Sequence, residues 1–170
     1  MKNTLDFSEI RDWKHFEDLL LAYFELLKIE EKDIVDVEVR PSGVGSDGGR
    51  DLLVIFRVND GVVSFNRRWV VQGKFQEANV LQRDLSSVNI PSLIHQYGAD
   101  GYLLVCKGSV SGGVTKMFEG LNAECRFKYK YQIWQGEQFK RRLLTKFSLH
   151  AQFFPKYHEF TELKNRRLEP

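Results

Sequence analysis

The chain has 170 residues, 42% of them hydrophobic and 28% charged, which fits one globular domain with a single sizeable core. No apolar run approaches a membrane span, Met1-Lys2-Asn3-Thr4-Leu5-Asp6 carries no signal-peptide core, and the two unclustered cysteines, Cys106 and Cys125, supply neither a zinc site nor a disulfide framework, so a cytoplasmic protein is expected. The net charge of +2 hides an asymmetry that hints at a polyanionic partner: residues 1–100 hold 12 Lys+Arg against 17 Asp+Glu, and residues 101–170 hold 13 against 6.

In chain order, Asp12 to Lys28 reads as an amphipathic helix, with Trp13, Phe16, Leu20, Tyr23, Phe24 and Leu27 at three- and four-residue steps and Ser8 or Asp12 as its cap. Ile34 to Val39 alternates acids with valines, a half-exposed strand. Pro41 to Gly49 is loop. Leu52 to Val58 is a strand, Asn59-Asp60-Gly61 a hairpin turn, and Val62 to Lys74 a returning strand interrupted near Asn66-Arg67-Arg68. Gln82 to Tyr97 is partly helical, with Pro91 as a break or start and Gly98 as the stop. Tyr102 to Cys106 is a continuous apolar strand, suited to a centre covered on both faces. Ser111 to Leu121 is a helix with a Ser cap, Phe127 to Trp134 a strand, and Glu137 to Phe147 a helix. This order predicts an α/β layered fold, a mixed sheet between helices.

The chemistry concentrates in Gly45-Ser46-Asp47-Gly48-Gly49-Arg50-Asp51-Leu52 and in Val70-Val71-Gln72-Gly73-Lys74. Asp51 stands at the mouth of one strand. Gln72 and Lys74, two apart on the next, project from one face. An acid, an amide oxygen and an ammonium converging at strand ends can hold a divalent cation beside a phosphate. Asp51 would be the charged ligand and Gln72 a neutral carbonyl ligand. Lys74 would stabilise charge on the phosphate and assist deprotonation of the attacking water. Asp47, in the same loop, reads as a turn residue. Gly73 would remove bulk where a helix packs closely. Glu17 falls on the apolar stripe of the first helix and needs a partner there, unless it sits at the rim: Arg50 or a lysine could pair with it.

These motifs resemble the Mrr-type restriction endonucleases, the Gln-x-Lys branch of the PD-(D/E)xK nuclease superfamily, from Trp13-Lys14-His15-Phe16-Glu17 to about Leu144. The resemblance implies a restriction-endonuclease-like three-layer fold, a nuclease domain over residues 1–147 and a C-terminal helical extension over 148–170. It implies a metal-dependent DNA endonuclease that uses Mg²⁺, with Mn²⁺ as substitute, and takes Asp51, Gln72, Lys74 and Glu17 as its catalytic set, with Asp51, Gln72 and Glu17 on the metal. It further implies bacterial defence against foreign DNA, by a free-standing nuclease or the effector end of a longer protein with a sensor domain, and a homodimer is compatible with it. The alternative is an inactive binding module that kept the fold.

Arg126, Lys128 and Lys130 would share one face of the Phe127–Trp134 strand, opposite Phe127, Tyr129 and Tyr131. That is either a phosphate-tracking stripe or a solvated edge guarded by lysines. Arg67 and Arg68 at the hairpin, and Lys140-Arg141-Arg142, are further candidate DNA contacts. His15, His95, His150 and His158 show no metal spacing and read as structural. Gly43 to Gly49 lacks the Gly-Lys-Ser/Thr ending and following helix of a phosphate-binding loop.

Overall fold

The computed structural model describes residues 4–42, 50–124 and 128–166. Five strands form one sheet in the order β1 (Ile34–Pro41), β2 (Leu52–Asn59), β3 (Ser64–Lys74), β4 (Gly101–Cys106) and β5 (Lys130–Trp134). The first three pair antiparallel, and β3–β4 and β4–β5 pair parallel, so the sheet is mixed. The β2–β3 connection is a short turn: Gly61 takes φ +88°, Asn59 Oδ1 accepts from the Gly61 N–H, and Asp60 Oδ1 accepts from those of Val62 and Val63. Contrary to the expected interruption, β3 runs unbroken through Asn66-Arg67-Arg68.

One face of the sheet is covered by α1 (Trp13–Glu30), α4 (Gly136–Leu143) and α5 (Phe147–Phe153). Phe16, Leu19, Leu20 and Phe24 of α1 pack there with Phe139, Leu143, Phe153 and Phe154 over Leu52, Val54, Val71 and Val105. Asp12 starts α1, its Oδ1 accepting the His15 N–H at 2.8 Å, which settles the choice between it and Ser8. The other face is covered by α2 (Ile90–Tyr97) and α3 (Gly112–Glu124) over Val70, Tyr102, Leu104 and Cys106. Parallel crossovers place α2 and α3 on this same side. The result is three layers with β4 buried along its whole length.

Pro91 sits in the first turn of α2 behind an Asn89 cap, and Gly98 closes the helix at φ +54°. The helix expected over Glu137–Phe147 instead ends at Leu143, and α5 begins at Phe147. Between them Lys146 is buried and makes a short ion pair with Glu30 of α1, a tertiary contact that ties the joint down. Past α5, α6 (Pro155–Arg166) turns back, and the Lys156 N–H reaches Glu9 Oε2 at 2.8 Å near the N-terminus. Trp13 departs from the expected stripe: it is 62% exposed, because it precedes the part of α1 that lies on the sheet.

Candidate active site

Asp51 is the residue immediately before β2, and two hydrogen bonds fix it. Its N–H donates to Val71 O at 2.9 Å, and its Oδ2 accepts from the Gly73 N–H at 2.5 Å. The carboxylate therefore continues the β2–β3 pairing where β2's own backbone has ended. Gly73 makes room for it: a Cβ there would stand 3.1 Å from Leu20, 3.4 Å from Phe16 and 3.5 Å from Asp51 Oδ2. The close packing expected of Gly73 is thus against α1 and the candidate acid together.

β3 alternates through the site. Val71 and Gly73 face α1, whereas Val70, Gln72 and Lys74 face the α2 layer. Gln72 and Lys74 share a face, as their spacing predicts. Gln72 is only 5% exposed, and its Oε1 accepts from the Tyr102 hydroxyl at 2.6 Å. Lys74 is half-buried, and its Nζ donates to the backbone carbonyl of Asp84 at 3.1 Å. The Asp84 carboxylate is itself held by the Leu81 N–H at 2.8 Å and by Gln76, so this short helical turn (Gln82–Leu85) is a braced platform for Lys74.

Electrostatics ties the separate faces together. Burial pushes the Asp51 carboxyl above its ordinary range, against the opposing pull of the Gly73 N–H and the Lys74 ammonium. Glu17 on α1 is also pushed up, first by burial and then by the charge of Asp51. Lys14 pairs with Glu17 at 3.6 Å, so the lysine partner weighed for Glu17 is present and does not separate it from Asp51. Burial raises the Tyr102 hydroxyl far above its usual value, with the Asp51 charge adding to it. That hydroxyl stays a donor at any working pH.

The oxygen donors fit a hard divalent cation. Asp51 keeps Oδ1 free of the Gly73 bond, Glu17 offers a second carboxylate, and Gln72 Oε1 retains a lone pair beyond the one Tyr102 uses. Among the described residues no three or more His, Cys, Asp or Glu side chains stand together as a metal cluster. The set is two carboxylates and an amide, and such a site leaves a small cation several of its waters.

Sequence reasoning missed Tyr102 and Asp84. A Tyr within an otherwise apolar central strand was the available signal for the first, since a buried hydroxyl must find a partner. Asp84 contributes a backbone carbonyl, for which no side-chain pattern exists. Asp47 and Arg126 lie outside the described residues. Lys128 precedes β5, its ammonium 4.9 Å from the Tyr129 ring centroid, so the described part of the basic stripe on that strand reduces to Lys130. Arg67 and Arg68 lie within β3, opposite Phe56 and Ile55, and point to opposite faces of the sheet. His150 is buried with Nε2 at 2.8 Å from Leu143 O, and His15 Nδ1 accepts the Arg11 N–H, both structural roles.

The sequence profile of the Mrr_cat restriction endonuclease family matches residues 9–143, most of the chain. No curated protein matches it in sequence. Among solved structures, the MspJI restriction endonuclease, determined in complex with a 27-mer oligonucleotide, aligns with TM-score 0.50 and 17% identity over 75% of this chain. The DNA modification-dependent restriction endonuclease AspBHI aligns with TM-score 0.47 and 12% identity over 82%. The chain spans 27% of the MspJI chain and 37% of the AspBHI chain. With Asp51, Gln72 and Lys74 at the ends of adjoining strands inside the matched region, the chain belongs to the Mrr_cat family of restriction endonucleases.

Proposed function

We propose that the domain hydrolyses phosphodiester bonds of DNA with the help of a divalent cation, Mg²⁺ or Mn²⁺ in its place. The observation that carries this reading is the Asp51 carboxylate, pinned by Gly73 between Gln72 and Lys74 and close enough to Glu17 to shift it. Two carboxylates held together, offset only in part by Lys14 and Lys74, take a further counter-charge. Asp51, Gln72 and Glu17 would hold the cation, which when bound supplies that counter-charge and polarises the phosphate. Lys74, braced on Asp84, holds its ammonium where negative charge grows on the scissile phosphate. Tyr102 orients the Gln72 oxygen. One such site acts on one strand, so a single domain nicks and two copies would be needed to cut both strands together. The reading carries with it a role against foreign DNA, by a free-standing nuclease or by the N-terminal effector domain of a longer protein.

A second reading, a DNA-binding module without activity, is favoured by one observation: Gln72 is turned inward and already bonded to Tyr102. A Mg²⁺ titration of plasmid nicking separates the two. Lys74→Ala and Asp51→Asn should each lose cleavage by about 10²–10³-fold, the cost of one preorganised stabilising group. Gln72→Glu should keep cleavage or lower the Mg²⁺ needed, because it adds charge to the same donor set. Asp51→Asn nicking at wild-type Mg²⁺ levels would leave the binding module as the better reading.

A further inference from the structure

A concavity lined by none of Asp51, Gln72, Lys74 and Glu17 lies on the α1 side of the sheet. Between the last turns of α1 and α4, over the strand ends, is a cavity of about 550 Å³, within the size range of small-molecule sites. Its walls are aromatic: Tyr23 and Phe24 of α1, Phe56 of β2, Trp69 of β3 and Trp134 of β5. Phe24 and Trp134 stack with centroids 6.0 Å apart. Trp69 is seated over Gly101, where a Cβ would come within 2.7 Å of its ring, so β4 gives up a side chain to place it. Trp69 and Lys74 are five residues apart on β3, about 16 Å at strand rise, and face opposite sides of the sheet.

The rim is charged in two groups. Arg67, Lys130 and Arg142 supply cations, and Glu31 and Asp33, at the α1–β1 turn, supply carboxylates. Arg142 is held in place, its guanidinium 4.1 Å from the Trp134 centroid and its charge acting on the Tyr23 hydroxyl. Arg142, Phe24 and Phe139 already lie against the Trp134 ring, so the half-buried Trp69 is the aromatic surface at the open space that a flat ring system would cover. Arginines beside such faces recognise phosphate. Carboxylates accept hydrogen bonds from hydroxyls.

We propose that this cavity binds a free ribonucleotide, its base against Trp69, its phosphate at Arg67 and Arg142, and its ribose hydroxyls toward Asp33 and Glu31. The site is independent of the nuclease centre and does not require that centre to be active.

Isothermal titration of the whole chain with AMP, GMP, CMP and UMP in turn tests it. At least one should give a saturable isotherm, with inorganic phosphate alone and the bare nucleoside each about tenfold weaker or more. Arg67→Gln and Arg142→Gln should each weaken binding by about tenfold, as loss of a charge-assisted hydrogen bond does, at an unchanged melting temperature. Because Arg142 also braces Tyr23, Arg67→Gln is the variant that decides if Arg142→Gln folds poorly. Lys74→Ala should bind as wild type, which separates this site from the nuclease centre. The proposal is overturned if no nucleotide saturates, if the 2′-deoxy analogue binds equally well, or if Lys74→Ala removes the binding.

Discussion

The Tyr102 hydroxyl is fully buried and donates to Gln72, so the orientation of a candidate ligand depends on a residue thirty positions downstream. Tyr102→Phe removes the donor and leaves Gln72 Oε1 unpaired inside the protein, at a cost of roughly 1–3 kcal/mol. Chemical denaturation should show that loss, and an unchanged midpoint would mean that the pair does not form. Asp51 has the opposite effect on stability. Its folded pKa lies above the ordinary value of 3.8, so between the two values the native state binds more protons than the unfolded chain. The metal-free domain is therefore expected to lose stability as pH rises from the ordinary aspartate range through the raised value. Asp51→Asn should flatten that part of the profile and melt higher than wild type at neutral pH, and added Mg²⁺ should stabilise wild type but not the variant. Identical pH profiles would remove the buried charge from the account. Asp51, Gln72 and Lys74 were legible in the sequence because a period-two pattern is local. Tyr102 was not, because its partner is distant in the chain.

At the level of elements, α1 and β3 are matched through Gly73. Gly73→Ala would press a methyl group onto the fully buried Leu20 at 3.1 Å and bring it to contact distance of Phe16 and Asp51 Oδ2. Overpacking of this kind costs about 1–3 kcal/mol. Since the strand that must yield to Leu20 also carries the Gly73 N–H that holds Asp51, cleavage should fall more than stability does, and a melt run beside a nicking assay measures both. If both stay at wild-type values, α1 is not seated as closely as described. The elements marked by caps and turns were readable: Asp12 before α1, Asn59-Asp60-Gly61 before β3, and Pro91 and Gly98 around α2. The misread ones lack such marks. The first five residues of β3 are exposed, so no burial pattern shows that the strand continues there. The break after Leu143 has neither Gly nor Pro, and its anchor, the Lys146–Glu30 pair, joins residues 116 apart.

Across the whole molecule, the acidic and basic halves of the sequence pack against each other rather than standing apart. The second half adds β4 and β5 directly to β3 and lays α4 and α5 beside α1. The basic residues are dispersed accordingly: Arg67 and Lys130 at the aromatic cavity, Arg68 on the opposite face, and Lys128 ahead of β5. A DNA duplex touching several of them must extend over more than one face, and each contact can be counted separately. If Lys128 meets a phosphate, Lys128→Ala should reduce the log–log salt slope of duplex binding by about 0.9. Binding measured over a range of salt concentrations decides this, and an unchanged slope identifies Lys128 as a solvated lysine.

The bond from the Gly73 N–H to Asp51 has a consequence for how descendants of this domain would diverge. Because that oxygen completes the β2–β3 pairing, a lineage that had abandoned cleavage would still be selected to keep Asp, or the isosteric Asn, at position 51. That position 51 holds Asp or Asn among homologues is therefore poor evidence of activity. Among the described residues the ammonium of Lys74 hydrogen-bonds a backbone carbonyl at the half-open end of its strand, a contact that does not tie the fold to a lysine. On the proposed mechanism, a lysine that persists there would mark a working nuclease, and its replacement a retired one.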